Sequence, residues 1–244
     1  VAMRELDQDV HLMLNATGGK KVMSMAFAQA FEQAGHASVI YVDSEQRQIY
    51  TLFPHHAGSF PIEEDLITID AALALRGFFP VEDLVTLRKM GSYLQGHPNM
   101  NSVPGVDMST GSLGQGISAA VGMALAGKMD KKAYRVYTVL GDGEVEEGQV
   151  WEAFLSAAKY RLDNLCAVID VNGLQIDGNI EDVCSPYPID KKFEAFNFHV
   201  INIDGHDFDQ IAAAFKEAKE TKGMPTAIIA KTTKGKGVSF MEGQ

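Results

Sequence analysis

The chain has 244 residues, enough for one large α/β domain or two small ones. Apolar residues make up 46% of it and charged residues 22%, a balance that can bury a sizeable core. With 21 basic and 32 acidic residues the formal net charge is −11, which argues against a nucleic-acid or anionic-membrane surface. Cys166 lies in an apolar run and reads as a small core residue, and Cys184 is the one other cysteine. Neither has metal-ligand spacing, and a disulfide framework is not expected, so a reducing cytoplasm is favoured. No stretch approaches the roughly 18 apolar residues of a membrane span, and no signal-peptide pattern opens the chain.

In chain order, "VMSMAFAQAFEQAG" (residues 22–35) predicts a helix and "ASVIYVD" (37–43) a strand. Little in this first part suggests chemistry. From about Ala72 onward, helix and strand periods alternate. "PVEDLVTLRKMG" (80–91) reads as a helix opened by proline and closed by glycine. "LGQGISAAVGMALAGKM" (113–129) is rich in small residues and predicts a buried helix. "YRVYTVL" (134–140) and "LCAVIDV" (165–171) are β-rich runs. Between them Glu147, Val150, Trp151, Phe154, Leu155 and Ala158 recur at helical spacing, largely apolar on one stripe. "FHVINID" (198–204) and "TAIIAKT" (226–232) read as strands around a helix at 208–219. This alternation predicts an α/β fold with an open, mostly parallel sheet, right-handed crossovers and helices on both faces. With no repeat and no long low-complexity linker, residues 1–244 read as a single domain.

The chemistry concentrates in two places. In "VLGDGEVEEG" an apolar strand ends in Gly-Asp-Gly, and Glu144, Glu146 and Glu147 follow around a helix start, where acids suit the helix dipole. Asp142 and Asn172 each follow an apolar strand with one helix between them, so a right-handed βαβ unit brings both to one sheet edge. A carboxylate and an amide oxygen there form a hard oxygen pair, suited to magnesium that keeps waters and phosphate oxygens. Gly141 and Gly143 let backbone approach a phosphate, and a helix N-terminus adds amide donors. The plainer alternative is that Asp142 caps the helix and Asn172 with Gly173 makes a turn. The second place is "QGHPNMNSVPGVDMSTGSLGQG" (95–116), where His97 is bracketed by glycine and proline. Gly111, Gly114 and Gly116 then open a helix. A histidine in such a loop can donate to an anionic oxygen or move a proton near neutral pH, although a lone histidine is more often structural or solvated.

Together these stretches resemble the N-terminal part of transketolase, the thiamine-diphosphate enzyme. The resemblance is carried by "GFFPVEDLVTLRKMGSYLQGHP", "PGVDMSTGSLGQGISAAVGMALA", "GDGEVEEGQVWEA", "NLCAVIDVNGLQIDG", "IDGHDFDQI" and "KTTKGKGVSFMEG", and spans about residues 72–243. The GDG…N pair is shared by many enzymes using that cofactor, whereas "STGSLGQGIS" is much more specific. The ending resembles the first polypeptide of the type in which transketolase is split in two. This resemblance implies the thiamine-diphosphate-binding fold, with Asp142, the Asn172 side chain and the Leu174 carbonyl holding magnesium. It implies that Gly143 and Asn172 touch the diphosphate and that Glu144 belongs to the cofactor-binding set. Gly111, Ser112 and Leu113 would line the thiazole and aminopyrimidine region. His97, as the catalytic residue, would face the substrate hydroxyls or the reacting carbonyl oxygen. Glu147 and Glu152 match glutamates of a dimer interface that link two active sites by proton relay. The implied reaction moves a two-carbon ketol unit from a ketose to an aldose or its phosphate. The implied partners are a C-terminal transketolase subunit, in a two-plus-two heterotetramer, and a sugar or sugar phosphate.

The first seventy residues depart from that pattern. The family's GHxGG-like and SKGHA-like segments should fall near "VMSMAFA" and "PIEEDL", and neither stretch holds a histidine. His36, His55 and His56 lack the family's spacing, so residues 1–70 contribute no site residue. Four readings follow. The first is the diphosphate-binding subunit of a split transketolase. The second is another thiamine-diphosphate enzyme such as an oxo-acid dehydrogenase component, which the "STGSLGQG" loop disfavours. The third is a decayed homologue that binds only cofactor or partner. A nicotinamide dehydrogenase is the weakest option, because no GxGxxG with a ribose-binding acid about twenty residues later is present.

Overall fold

The computed structural model describes residues 10–12, 39–43, 48–52, 58–61, 69–175, 178–237 and 242–243, with side-chain surroundings from Asp70 onward. The described strands are β1 (Val10–Leu12), β2 (Val39–Asp43), β3 (Gln48–Leu52), β4 (Gly58–Pro61), β5 (Arg135–Gly141), β6 (Leu165–Val171), β7 (Leu174–Gln175), β8 (Gly178–Asn179), β9 (His199–Asp204) and β10 (Thr226–Lys231). The described α-helices are α1 (Ile69–Leu75), α2 (Gln115–Met129), α3 (Gly148–Lys159), α4 (Ile180–Val183), α5 (Ile189–Ala195) and α6 (Phe208–Glu220). The chain divides into two compact units, Val1–Thr17 with Thr110–Thr232, and Gly18–Ser109 with Thr233–Gln244.

The first unit is built on a five-stranded sheet in the order β1-β5-β6-β10-β9, parallel throughout. From Val136 to Gly141 every residue of β5 is buried, as is every residue of β6 from Leu165 to Asp170. Unbroken burial of this kind requires cover on both faces of the sheet, the pattern of parallel α/β proteins. On one face, α6 sits where Arg135 and Tyr137 project together. Phe215 meets Tyr137 at 5.6 Å between ring centroids, and the Arg135 guanidinium donates to the Ala218 carbonyl at 2.8 Å. An aromatic cluster joins α3 to α5: Trp151 and Phe154 pack with Phe193, Phe196 and Phe198, and the fully buried Phe154 and Phe193 rings lie 4.8 Å apart. Such ring pairs each add about 0.5–1.5 kcal/mol beyond the area they bury. The Lys128 ammonium of α2 donates to the Tyr160 and Arg161 carbonyls, a cation capping the C-terminal end of α3. Cys166 is fully buried in β6, and burial pushes its thiol up to about 12.

Register fixes where the loops go. Gly141 pairs with Asp170, Lys231 with Val171, and Lys231 with Asp204, so the strands end along one edge. The residues after them are therefore delivered to that edge, where open parallel sheets bind ligands.

In the second unit β2, β3 and β4 form an antiparallel meander. The strand expected at 37–43 is β2; the helix expected at 22–35 lies outside the described residues. The helix expected at 80–91 is replaced by a shorter 3-10 turn, Val81–Thr86. Its helical pattern is real, yet the Thr86 hydroxyl donates back to the Asp83 carbonyl and pairs with Ser92. Leu87 is extended, Arg88 has φ 60°, and the Arg88 amide donates to the Leu94 carbonyl, which reverses the chain. Among the described residues no helix is long and apolar enough to cross a membrane.

Candidate functional site

The site begins one residue past β5. The Asp142 amide donates to the Asp170 carbonyl at 3.1 Å, which extends the β5–β6 ladder by one step and carries the side chain under the sheet edge. That carboxylate is fully buried. Oδ1 accepts from the Gly143 amide at 2.9 Å, and Oδ2 accepts from the Gly173 amide at 2.7 Å. Burial of a carboxylate is costly unless hydrogen bonds offset it, and these two amides do so. Asp142 caps no helix: the N-cap residue of α3 is Glu147, and that of the intervening 3-10 turn (Glu144–Glu146) is Gly143. Instead it ties the exit of β5 to the exit of β6, next to Asn172.

Asn172 is held from both ends of its amide. Its Nδ2 donates to Asp170 Oδ2 at 3.0 Å, and its Oδ1 accepts from the Leu174 amide at 3.0 Å. The other Asp170 oxygen accepts from the Thr232 hydroxyl. A carboxylate in its ionised form only accepts, so the nitrogen end of Asn172 is committed to Asp170 and its oxygen end to the other side. Gly173 follows with φ 76°, a left-handed conformation that a side chain would strain, and its Cβ position opens into free space. Leu174 starts the β7–β8 hairpin, paired with Asn179.

Two further groups complete the edge. A Cβ on Gly143 would come within 2.9 Å of the Gln175 side chain, so glycine is what lets Gln175 pack against this turn. Gln175 Oε1 is buried without a hydrogen-bond partner among the described residues. Tyr187 is half-buried; burial pushes its phenol pKa up, and the negative charges of Asp142 and Glu181 push it further.

The glycine-rich loop enters from the same unit. Gly111 has φ 133°, and Gly114, the N-cap residue of α2, has φ 79°. Ser112 and Leu113 between them are exposed, Leu113 by 42%. The Gly114 amide donates to Glu144 Oε1 at 3.0 Å, and the Gly141 amide to Glu144 Oε2 at 3.2 Å. The Glu144 carboxylate, 1% exposed, therefore lies between the loop and the end of β5 rather than open to a ligand. The resemblance places Glu144 in the cofactor-binding set; in the structure its two oxygens accept from backbone amides. Glu147 and Glu152 are both exposed on and just before α3, beside Leu155, which is 57% exposed. His97 is exposed and belongs to the second unit.

The donor set fits a hard divalent cation bound with phosphate. No group of three or more His, Cys, Asp or Glu side chains forms a metal cage among the described residues. One carboxylate, one amide oxygen and a neighbouring carbonyl are the small protein share that magnesium takes when phosphate oxygens and water fill the rest. The buried Gln175 oxygen, without a hydrogen-bond partner among the described residues, lies on the side chain packed against Gly143.

Asp170, Thr232, Gln175 and Tyr187 were missed in the sequence. Asp170 had a readable signal: an acid inside the apolar run "LCAVIDV", two residues before Asn172 and so on the same side of the strand. Thr232 and Tyr187 arrive from distant segments and had none.

A parallel sheet that delivers a buried carboxylate and an amide oxygen to one edge, beside a glycine-rich helix start, defines an α/β domain that cradles a diphosphate. Residues 65–244 match the family "Transketolase, thiamine diphosphate binding domain", and residues 2–71 match "Card1 CARF domain". The 6-deoxy-6-sulfo-D-fructose transketolase subunit SqwG of Clostridium sp. (strain MSTE9) is 47% identical over 199 residues, covering 78% of this chain and 72% of that protein. An apulose-4-phosphate transketolase subunit of Phocaeicola vulgatus is 43% identical over 182 residues, covering 75% of this chain and 63% of that protein. Mouse transketolase is 48% identical over 176 residues, 70% of this chain, and the match spans 27% of its length. The crystal structure of Campylobacter jejuni transketolase superposes on 72% of this chain and 29% of its own with a TM-score of 0.66 and 34% identity. The chain belongs to the transketolase family, and residues 65–244 are its thiamine-diphosphate-binding domain.

Proposed function

We propose that the chain is the diphosphate-binding subunit of a two-chain transketolase, moving a two-carbon ketol unit from a ketose to an aldose or its phosphate. The observation that carries this reading is the Asp142 carboxylate held on the Gly173 amide at 2.7 Å, which sets one hard-oxygen ligand beside another. In it, Asp142, Asn172 Oδ1 and the Leu174 carbonyl hold magnesium, and Gly143 and Asn172 meet the diphosphate. Bound there, thiamine diphosphate would supply the carbon nucleophile and the electron sink. The residues of this chain bind, orient and shield it. Gly111, Ser112 and the exposed Leu113 offer backbone and an apolar surface for its ring region, and Glu144 supports them from below. His97, exposed in a loop bracketed by glycine and proline, is proposed to meet substrate hydroxyls or the carbonyl oxygen. Glu147 and Glu152 are proposed to face a partner surface and relay protons, in an assembly of two copies of this chain with two of a C-terminal subunit. Relatives named for a sulfofructose and for apulose-4-phosphate support a ketose with a terminal anionic group as substrate. The free thiols of Cys166 and Cys184 support a cytoplasmic setting.

A second reading is favoured by one observation. The transketolase match starts at residue 65, and residues 2–71 match a different family, where transketolases carry two histidine segments. In that reading the chain binds cofactor and partner without turnover. One experiment addresses both: calorimetric titration of the full chain with thiamine diphosphate and magnesium, followed by a ketol-transfer assay with the C-terminal subunit. Binding that Asp142→Ala abolishes in a folded protein, together with transfer on mixing, supports the enzyme. Binding without transfer supports the second reading, and equal affinity in Asp142→Ala overturns the site.

A further inference from the structure

Most buried acids near a cofactor are assigned to the cofactor. Glu144 has a different geometry. It is 1% exposed, and its two oxygens accept from amides that belong to separate pieces of chain. One is the Gly114 amide at 3.0 Å, at the left-handed N-cap of α2, and the other is the Gly141 amide at 3.2 Å, at the end of β5. The first bond spans thirty residues of sequence. The start of α2 is a set of unmatched amide donors with a positive field, the usual place for an external anion. Here a side-chain carboxylate already sits on its N-cap amide. The loop Gly111–Gly114 and the Gly141–Asp142–Gly143 turn are therefore held on opposite oxygens of one rigid group.

We propose that Glu144 is a positioning residue: an internal anion that fixes the glycine-rich loop against the end of β5 before any cofactor arrives. It acts through Gly114 on Ser112 and Leu113, and through Gly141 on Asp142, without touching the cofactor. The Gly114 amide is consequently committed within the chain, and in the reading above the diphosphate is met on the Gly143 and Asn172 side of the edge. This rests on the cofactor reading above for its consequence, but not for its geometry. The isosteric change Glu144→Gln tests the distinction, because an amide offers one acceptor oxygen and turns an NH2 donor toward the second backbone N–H.

The test uses the full chain in two measurements. In the wild-type protein without cofactor, amide hydrogen exchange followed residue by residue should show the Gly114 and Gly141 amides protected. Free-loop exchange at Gly114 overturns the proposal with no variant needed. In Glu144→Gln, exchange at Gly114 and across residues 111–116 should rise at least about tenfold while the β6 and β10 amides hold. Affinity for thiamine diphosphate with magnesium should fall about tenfold, the loss of one hydrogen bond to a charged group. The emission of Trp151, whose indole donates to the Val145 carbonyl at 2.7 Å, should shift as the neighbouring turn loosens. Phe215→Ala, which removes the ring packed on Tyr137, is the control for stability alone. It should lower Tm with cofactor affinity and Gly114 protection unchanged. If Glu144→Gln matches wild type in exchange and affinity, or if Phe215→Ala reproduces its local pattern, the proposal fails. If wild type itself does not bind the cofactor, the cofactor reading falls, and the exchange data alone decide the role of Glu144.

Discussion

Asp142, Asp170 and Glu144 are at most 9% exposed, and each has its oxygens committed to named donors, so the site is set at the level of single hydrogen bonds. Asp142 joins two strand exits, while Asp170 turns Asn172 so that its oxygen lies opposite the acid. Second-layer partners of this kind fix ligand orientation, and their loss costs roughly 10–100-fold in metal affinity. Thr232→Val removes the hydroxyl that holds Asp170 and keeps the size of the side chain. Magnesium dependence of cofactor binding should therefore weaken about tenfold, and the thermal midpoint should fall by a few degrees (about 1–3 kcal/mol) because a buried Asp170 oxygen loses its donor. A magnesium titration that superposes on wild type would show that Asp170 holds Asn172 unaided. The Asp142–Asn172 pair was legible from sequence because both follow apolar strands. Asp170 was passed over because a single polar residue in such a run reads as noise until its i+2 neighbour is considered.

At the scale of elements, long strands and long helices were legible, and short ones were not. The runs behind β5, β6, β9, β10, α3 and α6 each have enough length for a pattern to show, and α2 shows by its length and small residues. The segment after Pro80 fails for a physical reason: local bonds from Thr86 and the reversal at Arg88 compete with continuing a helix, and periodicity does not register them. The opposite holds at the start of α2, where three glycines announced a special backbone and the structure explains it. Gly114 has φ 79°, and a Cβ there would come within 3.0 Å of the Glu147 Cβ. Gly114→Ala combines a left-handed penalty of about 1–2 kcal/mol with that contact. The unfolding free energy from urea titration should drop by at least about 1 kcal/mol. Cofactor affinity should fall as well, since the loop carries Ser112 and Leu113. An unchanged urea midpoint would mean the loop relaxes freely and has no fixed geometry to lose.

At the scale of the whole molecule, the match to full-length transketolase spans about a quarter of the enzyme, 27% of the mouse protein. In the proposed function that quarter supplies the diphosphate end: the Asp142 acid, the Asn172 amide, Gly143 and the loop before α2. The aminopyrimidine end of the cofactor needs both an apolar slot and a buried acid that assists proton loss, and the proposed roles of residues 111–113 supply apolar surface without that acid. The first seventy residues read from sequence only as a departure from the family, because transketolase patterns were the one standard they could be held to. Residues 2–71, where the family's histidine segments would fall, match a second family. On α3 the exposed surface carries Glu152 and Leu155, with Glu147 at its N-cap, and Met129 at the end of α2 is 73% exposed. Covering these acids with a partner surface would desolvate them and bring like charges close, a cost that the partner must offset with donors of its own. The chain alone is therefore expected to transfer no measurable two-carbon unit, and to gain activity on mixing with a C-terminal transketolase subunit. Glu152→Gln should weaken that gain more than it weakens cofactor binding by the isolated chain. Sedimentation and a ketol-transfer assay on the same samples check both statements. Full turnover by the isolated chain, or a Glu152→Gln protein that assembles and turns over as wild type does, would remove α3 from the proposed interface.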